Sequence, residues 1–285
     1  MTIIEFLTEP FSFGFMTRAF WGVSLIAVLS GLIGTFIMLK GLAFIGDAIA
    51  HASFGGMVAA LLLGWPLQLG ALIVGFATAL LVTALGRKTP LRSDTTLAIL
   101  FTGAFSLGVL GLATRPNFAG DLSALLVGSV LAIRPEDMVW IIGAVTLTVI
   151  IMVLGFQHLV YVAFDPAGSE AAGLPTGALH MLLLGLVALA VVVSLQAVGV
   201  ILVVALLITP AATASLLTKR IGRVILLAIL FGITATWIGL YASYYLATPP
   251  GATIVTIVTL QFIIGLVVHK VRPWLQRRAV QHHRA

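Results

Sequence analysis

Asp47 and His51 stand four residues apart in "FIGDAIAHASFGG", residues 44–56, a stretch otherwise made of apolar and small residues. At helical spacing the two side chains lie one above the other on a single face. A carboxylate oxygen and an imidazole nitrogen so placed can ligate one divalent cation, and these ligand types suit manganese, ferrous iron or zinc. The same pair can instead hydrogen-bond each other, or a neighbour, as a structural bridge, or titrate together as a proton relay. Two ligands do not complete a metal site. A second copy of the helix across a dimer axis, another span, or water has to supply the rest.

The elements that must position this pair are membrane helices. Of the 285 residues, 61% are apolar and 8% charged, against about a quarter charged in soluble domains, and the mean hydropathy is +1.20. The apolar runs are long enough for helices rather than barrel strands. With no cysteine, thiolate ligands, disulfides and thiol chemistry are excluded. The start, "MTIIEFLTEPF", lacks a basic region and is interrupted by Glu5 and Glu9, so it does not read as a cleavable signal peptide. The expected fold is an all-α polytopic membrane protein of about eight to nine transmembrane helices in one transmembrane domain over 1–285.

Nine spans are expected, near 17–39, 42–64, 66–86, 94–113, 137–160, 176–197, 199–217, 223–246 and 252–270. The stretch "DLSALLVGSVLAI", 121–133, is too short to cross a hydrocarbon core of about 30 Å and is expected to be re-entrant or interfacial; if it does cross, the topology before it inverts. With the C-terminus placed in the cytoplasm, only Arg18, Arg115 and Arg134 of the 15 Lys and Arg residues fall outside, as the positive-inside rule requires. The net charge of +6 thus reflects topology and not nucleic-acid binding, and 271–285 is a basic cytoplasmic tail. In a helix over 42–64, about 34 Å long, His51 lies roughly 14 Å deep, close to the midplane.

Small residues Ala48, Ala52 and Gly56 repeat beside the Asp47–His51–Gly55 stripe, so another helix can approach closely there. Between spans five and six, Pro166 and Pro175 bracket "AGSEAAG", a candidate short helix with Gly173 as its stop. Pro210 removes a backbone hydrogen bond inside its span, so that helix is expected to kink or break, with Thr209 and Pro210 as hinge candidates. His180, Gln196 and Gln261 read as satisfied structural polar groups, His282 and His283 as a solvated end, and "RPNFAGD", 115–121, as an outside loop.

The run "LIGTFIMLKGLAFIGDAIAHASFGGMVAALLLG", 32–64, closely resembles the second-helix region of the permease subunits of bacterial ABC importers for manganese, zinc and iron, with their glycine–aspartate core followed by a histidine. Gly46, Asp47 and His51 match; Ala50 stands where many members have serine. "VGVILVVALLITPAATASLLTKR", 198–220, resembles the family's late span with its Thr-Pro pair, and "VAFDPAGSEAAGLPTG", 162–177, its coupling-helix loop. The resemblance runs from about 15 to 270. It implies a fold similar to the vitamin B12 and siderophore importers, in the bacterial plasma (inner) membrane. Asp47 and His51 would contact the metal, and Asp165, Pro166, Glu170 and Gly173, within the coupling loop 165–174, would couple to the ATPase. The implied partners are ATP-binding cassette ATPase subunits, an extracytoplasmic metal-binding protein and a second permease, identical or related. No cofactor is permanently bound; the divalent metal ion is cargo, expected to be manganese or zinc, with iron a further option.

A proton-coupled secondary metal transporter or channel is the alternative, but no convincing inverted repeat accompanies it. An intramembrane enzyme needs a motif such as HExxH or a further acid within the spans, and Asp47 is the only deep one. No GxxxxGK[ST] loop occurs, so any ATPase belongs to a separate chain.

Overall fold

In the computed structural model, residues 8–88, 93–114 and 129–282, together with Glu5, are described. Among the described residues nine long helices form: α1 Gly14–Leu39, α2 Ile45–Leu63, α3 Leu67–Lys88, α4 Ser93–Ala113, α5 Pro135–Phe164, α7 Thr176–Val198, α8 Val200–Leu217, α9 Ile221–Leu246 and α10 Pro250–His282, with the short α6, Pro166–Ala171, between α5 and α7. All nine are long and apolar enough to cross a membrane, and no strand occurs among the described residues. Every expected span has its helix.

In their membrane-length windows α7, α1 and α2 are 78%, 72% and 67% buried, whereas α10 and α4 are only 17% and 22% buried. The first three therefore form the centre of the bundle, and the last two face outward. Helix α1 packs against α5, α7, α8 and α9, while α2 is held by α3 and α4. Lys40, α6 and the α8–α9 junction share one end of the bundle.

Helix α2 begins at Ile45, not at 42. Helix α1 ends with Leu42 N–H donating to the Ile37 carbonyl and Gly41 N–H to the Met38 carbonyl, both near 3 Å, with Gly41 at φ +65°. This closing motif needs a left-handed residue, which glycine supplies without strain. It consumes Leu42–Phe44, whose apolar character alone reads as helix. His51 is then only about 9 Å from the helix start, shallower than the midplane.

The small residues beside the Asp–His stripe serve the chain's own packing. A Cβ on Gly55 would run into the Ala104 main-chain oxygen of α4, and one on Gly56 into the Gly70 oxygen of α3. Both neighbours of α2 thus approach to backbone contact, which fixes the rotation of the helix that carries the ionisable pair.

Three further expectations are corrected. Helix α8 is not broken at Pro210, and the break in the chain falls at Gly199, which separates α7 from α8. Helix α10 continues to His282, so the basic tail is helical up to that point. Gln196 is not satisfied: its Nε2 is buried without a partner, as is Oε1 of Gln261, whose Nε2 donates to Thr234 at 3.0 Å. Of the stretch 121–133, Val130–Ala132 form a short 3-10 turn. Arg18 Nε donates to the Ile133 carbonyl there at 3.1 Å. Residues 121–128, the segment 115–121 and His283 lie outside the described residues.

Gly55→Val should lower the thermal unfolding midpoint of the purified protein, an overpacking cost of about 1–3 kcal/mol or more. Gly103→Ala, where an added Cβ meets nothing within 4 Å, should not. Paired melting curves in one detergent check this.

Candidate metal path

Asp47 lies in the first turn of α2, where unsatisfied N–H groups and aligned peptide dipoles favour a negative side chain. His51 follows one turn later. Its Nδ1 is 2.9 Å from the Asp47 main-chain oxygen and 3.3 Å from Asp47 Oδ1. A carbonyl only accepts, so Nδ1 carries a proton, and in the neutral ring Nε2 keeps its lone pair for a cation. A main-chain bond to the far ring nitrogen is the usual way a ligating imidazole is oriented. Phe101 and Phe105 of α4 flank the ring, with centroids 5.6 and 5.8 Å away.

The pair does bridge internally, as the structural alternative requires. That contact uses Nδ1 and Oδ1, and neither Nε2 nor Oδ2 has a protein partner among the described residues. The two side chains are not packed away: Asp47 is 38% and His51 30% exposed. They open into a cavity of about 540 Å³ between α2, α8 and α10, whose other lining residues are Val200, Ile201, Val204, Ala205, Thr209, Val255 and Thr259. In an apolar chamber of this kind a cation would have few polar atoms to meet. Among the described residues, no group of three or more His, Asp and Glu side chains gathers anywhere.

Thr209 lines this cavity, while the neighbouring Pro210 is buried in the bundle. The two hinge candidates thus face different surroundings. Thr259, Phe101 and Phe105 were not legible as site residues. The two phenylalanines do sit one turn apart on α4, but only tertiary packing turns that face toward His51.

Asp165, Pro166, Glu170 and Gly173 do come together, around α6. Asp165 caps the helix, its Oδ1 accepting from Gly168 N–H at 2.8 Å, and Pro166 occupies the first turn. The chain leaves at Gly173, φ +78°, with Leu174 N–H returning to the Ser169 carbonyl at 3.1 Å. Glu170 projects into a second cavity of about 540 Å³, which Lys40, Thr83, Thr176 and His180 also line. Half-burial there lowers the Lys40 pKa from its ordinary value by desolvation.

Nine long apolar helices among the described residues, with an ionisable pair opening into a chamber beside α8 and α10, fit a multi-pass membrane transport protein. The chain belongs to the ABC 3 transport family, whose model matches residues 12–269. It is 36% identical over 260 residues to the manganese transport system membrane protein MntC of Halalkalibacterium halodurans, covering 91% of this chain and 89% of that one. To the chelated iron transport system membrane protein YfeC of Yersinia pestis it is 32% identical, covering 97% and 96%. Among solved structures, PsaBC from Streptococcus pneumoniae in complex with Fab superposes with a TM-score of 0.82 at 32% identity, over 93% of this chain and 95% of that one. The chain is thus a transmembrane permease of the ABC type.

Removing the cap with Asp165→Ala should destabilise α6 by about 1 kcal/mol. Amide hydrogen exchange across 166–171 should speed up several-fold while α7 stays protected; unchanged exchange would mean that the cap is dispensable.

Proposed function

We propose that this permease forms the membrane path of an ATP-driven importer of a divalent transition-metal ion, manganese or iron, which Asp47 and His51 contact during passage. The observation that carries this reading is the chamber itself. An intramembrane carboxylate–imidazole pair, with a free oxygen and an oriented ring nitrogen, faces an open, mainly apolar cavity bordered by α2, α8 and α10. Ionisable groups at such depth are costly and mark ion pathways by default. Oxygen with imidazole suits manganese and ferrous iron. Zinc is equally acceptable to the ligands, but the named relatives carry manganese and iron.

ATP hydrolysis falls to separate cytoplasmic subunits, for which the capped α6 with Glu170 is the docking helix. The charge distribution supports a cytoplasmic Lys40 end and C-terminus, in a bacterial inner membrane. An extracytoplasmic metal-binding protein delivers the ion at the opposite end. The outward faces of α4 and α10 flank the chamber, so a second permease seated there would close it and bring further ligands.

The test is element-specific accumulation in cells assembled with the whole importer, wild type against His51→Ala, at limiting metal and matched membrane levels. Wild type should accumulate manganese or iron, and the variant should lose at least ten-fold of that uptake. Equal accumulation would make His51 a structural bridge. No metal accumulation by an assembled wild-type complex would overturn the importer reading.

A further inference from the structure

The chamber's wall opposite Asp47 and His51 is apolar apart from two hydroxyls. Along α8 its lining residues are Val200, Ile201, Val204, Ala205 and Thr209, and α10 adds Val255 and Thr259. Thr259 donates its hydroxyl proton to the Val255 carbonyl at 2.8 Å, a common way for a helical threonine to satisfy itself. Thr209 does not. Its main-chain oxygen accepts from Thr213 at 2.8 Å, and among the described residues no protein group bonds its hydroxyl. Valine has the same shape and serves on this wall at 200 and 204, so packing alone does not call for an oxygen at 209.

Depth agrees with a shared ligand. Thr209 lies eight residues from the last residue of α8, Leu217, and His51 six from the first residue of α2, Ile45. These positions are roughly 12 and 9 Å from the same end of the bundle at the helical rise. Among the described residues no third carboxylate or imidazole stands near the pair, so a further contact from them has to come from another class of donor. A hydroxyl is a hard, neutral oxygen, the donor type that suits manganese better than softer ions.

We infer that the Thr209 hydroxyl oxygen is a third contact for the divalent cation, joining Asp47 and His51 across the chamber, and that it favours a hard ion such as manganese. This rests on the metal-path reading above. It assigns Thr209 to the cation and not to a hinge at Pro210.

The test uses the complete importer in proteoliposomes, with initial rates of manganese uptake measured across concentration for wild type, His51→Ala, Thr209→Val and Thr209→Ser. Thr209→Val should raise the apparent KM for manganese about ten-fold, the worth of one lost contact to a charged group, with the maximal rate within two-fold. Thr209→Ser should restore the wild-type KM within about three-fold, and zinc should compete better against manganese in Thr209→Val than in wild type. Should the valine variant fail to assemble, Thr209→Ala carries the same expectation. A valine variant matching wild type, while His51→Ala is inactive, overturns the role of Thr209 and leaves the metal path standing. A fall in maximal rate at unchanged KM that serine does not rescue overturns it in favour of a hinge. A wild-type importer that moves no manganese, iron or zinc removes the metal path and this inference with it.

Discussion

A carboxylate cannot lie bare in hydrocarbon. That cost, several kcal/mol even after relaxation, shapes the environment of Asp47. Its position in the first turn of α2 gives it the favourable end of the helix dipole, and His51 one turn on supplies a donor within 3.3 Å. The turn that places Asp47 there depends on Gly41, which ends α1 and lets α2 start at Ile45. The rotation that aims the pair into the chamber depends on Gly55 and Gly56, which let α4 and α3 close to backbone contact. One costly side chain is thus supported by three glycines, an imidazole and a helix terminus.

The same economy explains how sparse the site is. On the proposed path, a site that must release its cargo at every cycle is served by few ligands. Here one chain offers a carboxylate, an imidazole and hydroxyls on otherwise apolar walls. The chamber lies beside α4 and α10, the two spans with the least burial within the chain, so the site and the outward faces are contiguous. At the Lys40 end, α6 is held by its own cap and closing turn and stands next to the helix ends of α1, α3, α5 and α7 through the cavity that Glu170 and Lys40 share. Motion imposed on α6 therefore has a short physical route to the starts of α2 and α7.

Much of this was legible in the sequence, for identifiable reasons. Membrane helices announce themselves by length and apolarity, so all nine spans were found within a few residues. Asp47 and His51 stand out because their residue types are rare in such helices, and α6 because proline and glycine punctuate it. What was missed depended on faces and turns. Leu42–Phe44 are apolar and read as helix although the chain is turning there. Ala48, Ala52 and Gly56 read as a surface for another helix, and one does close in at Gly56, but which helix it is, α3, is not written in the small residues themselves. Pro210 reads as a possible break in its span, whereas α8 runs unbroken and Thr209 lines the chamber. Periodicity tells which residues share a face; only packing tells what that face meets.

On the proposed path an imidazole of α2 touches the travelling ion. That contact is tested most directly by pulsed electron paramagnetic resonance on manganese bound to the assembled importer in lipid nanodiscs, with histidine labelled by nitrogen-15. A nitrogen coupling that changes with the label and vanishes in His51→Gln is the predicted result. Bound manganese with no histidine coupling, or with a coupling that survives the substitution, would contradict it.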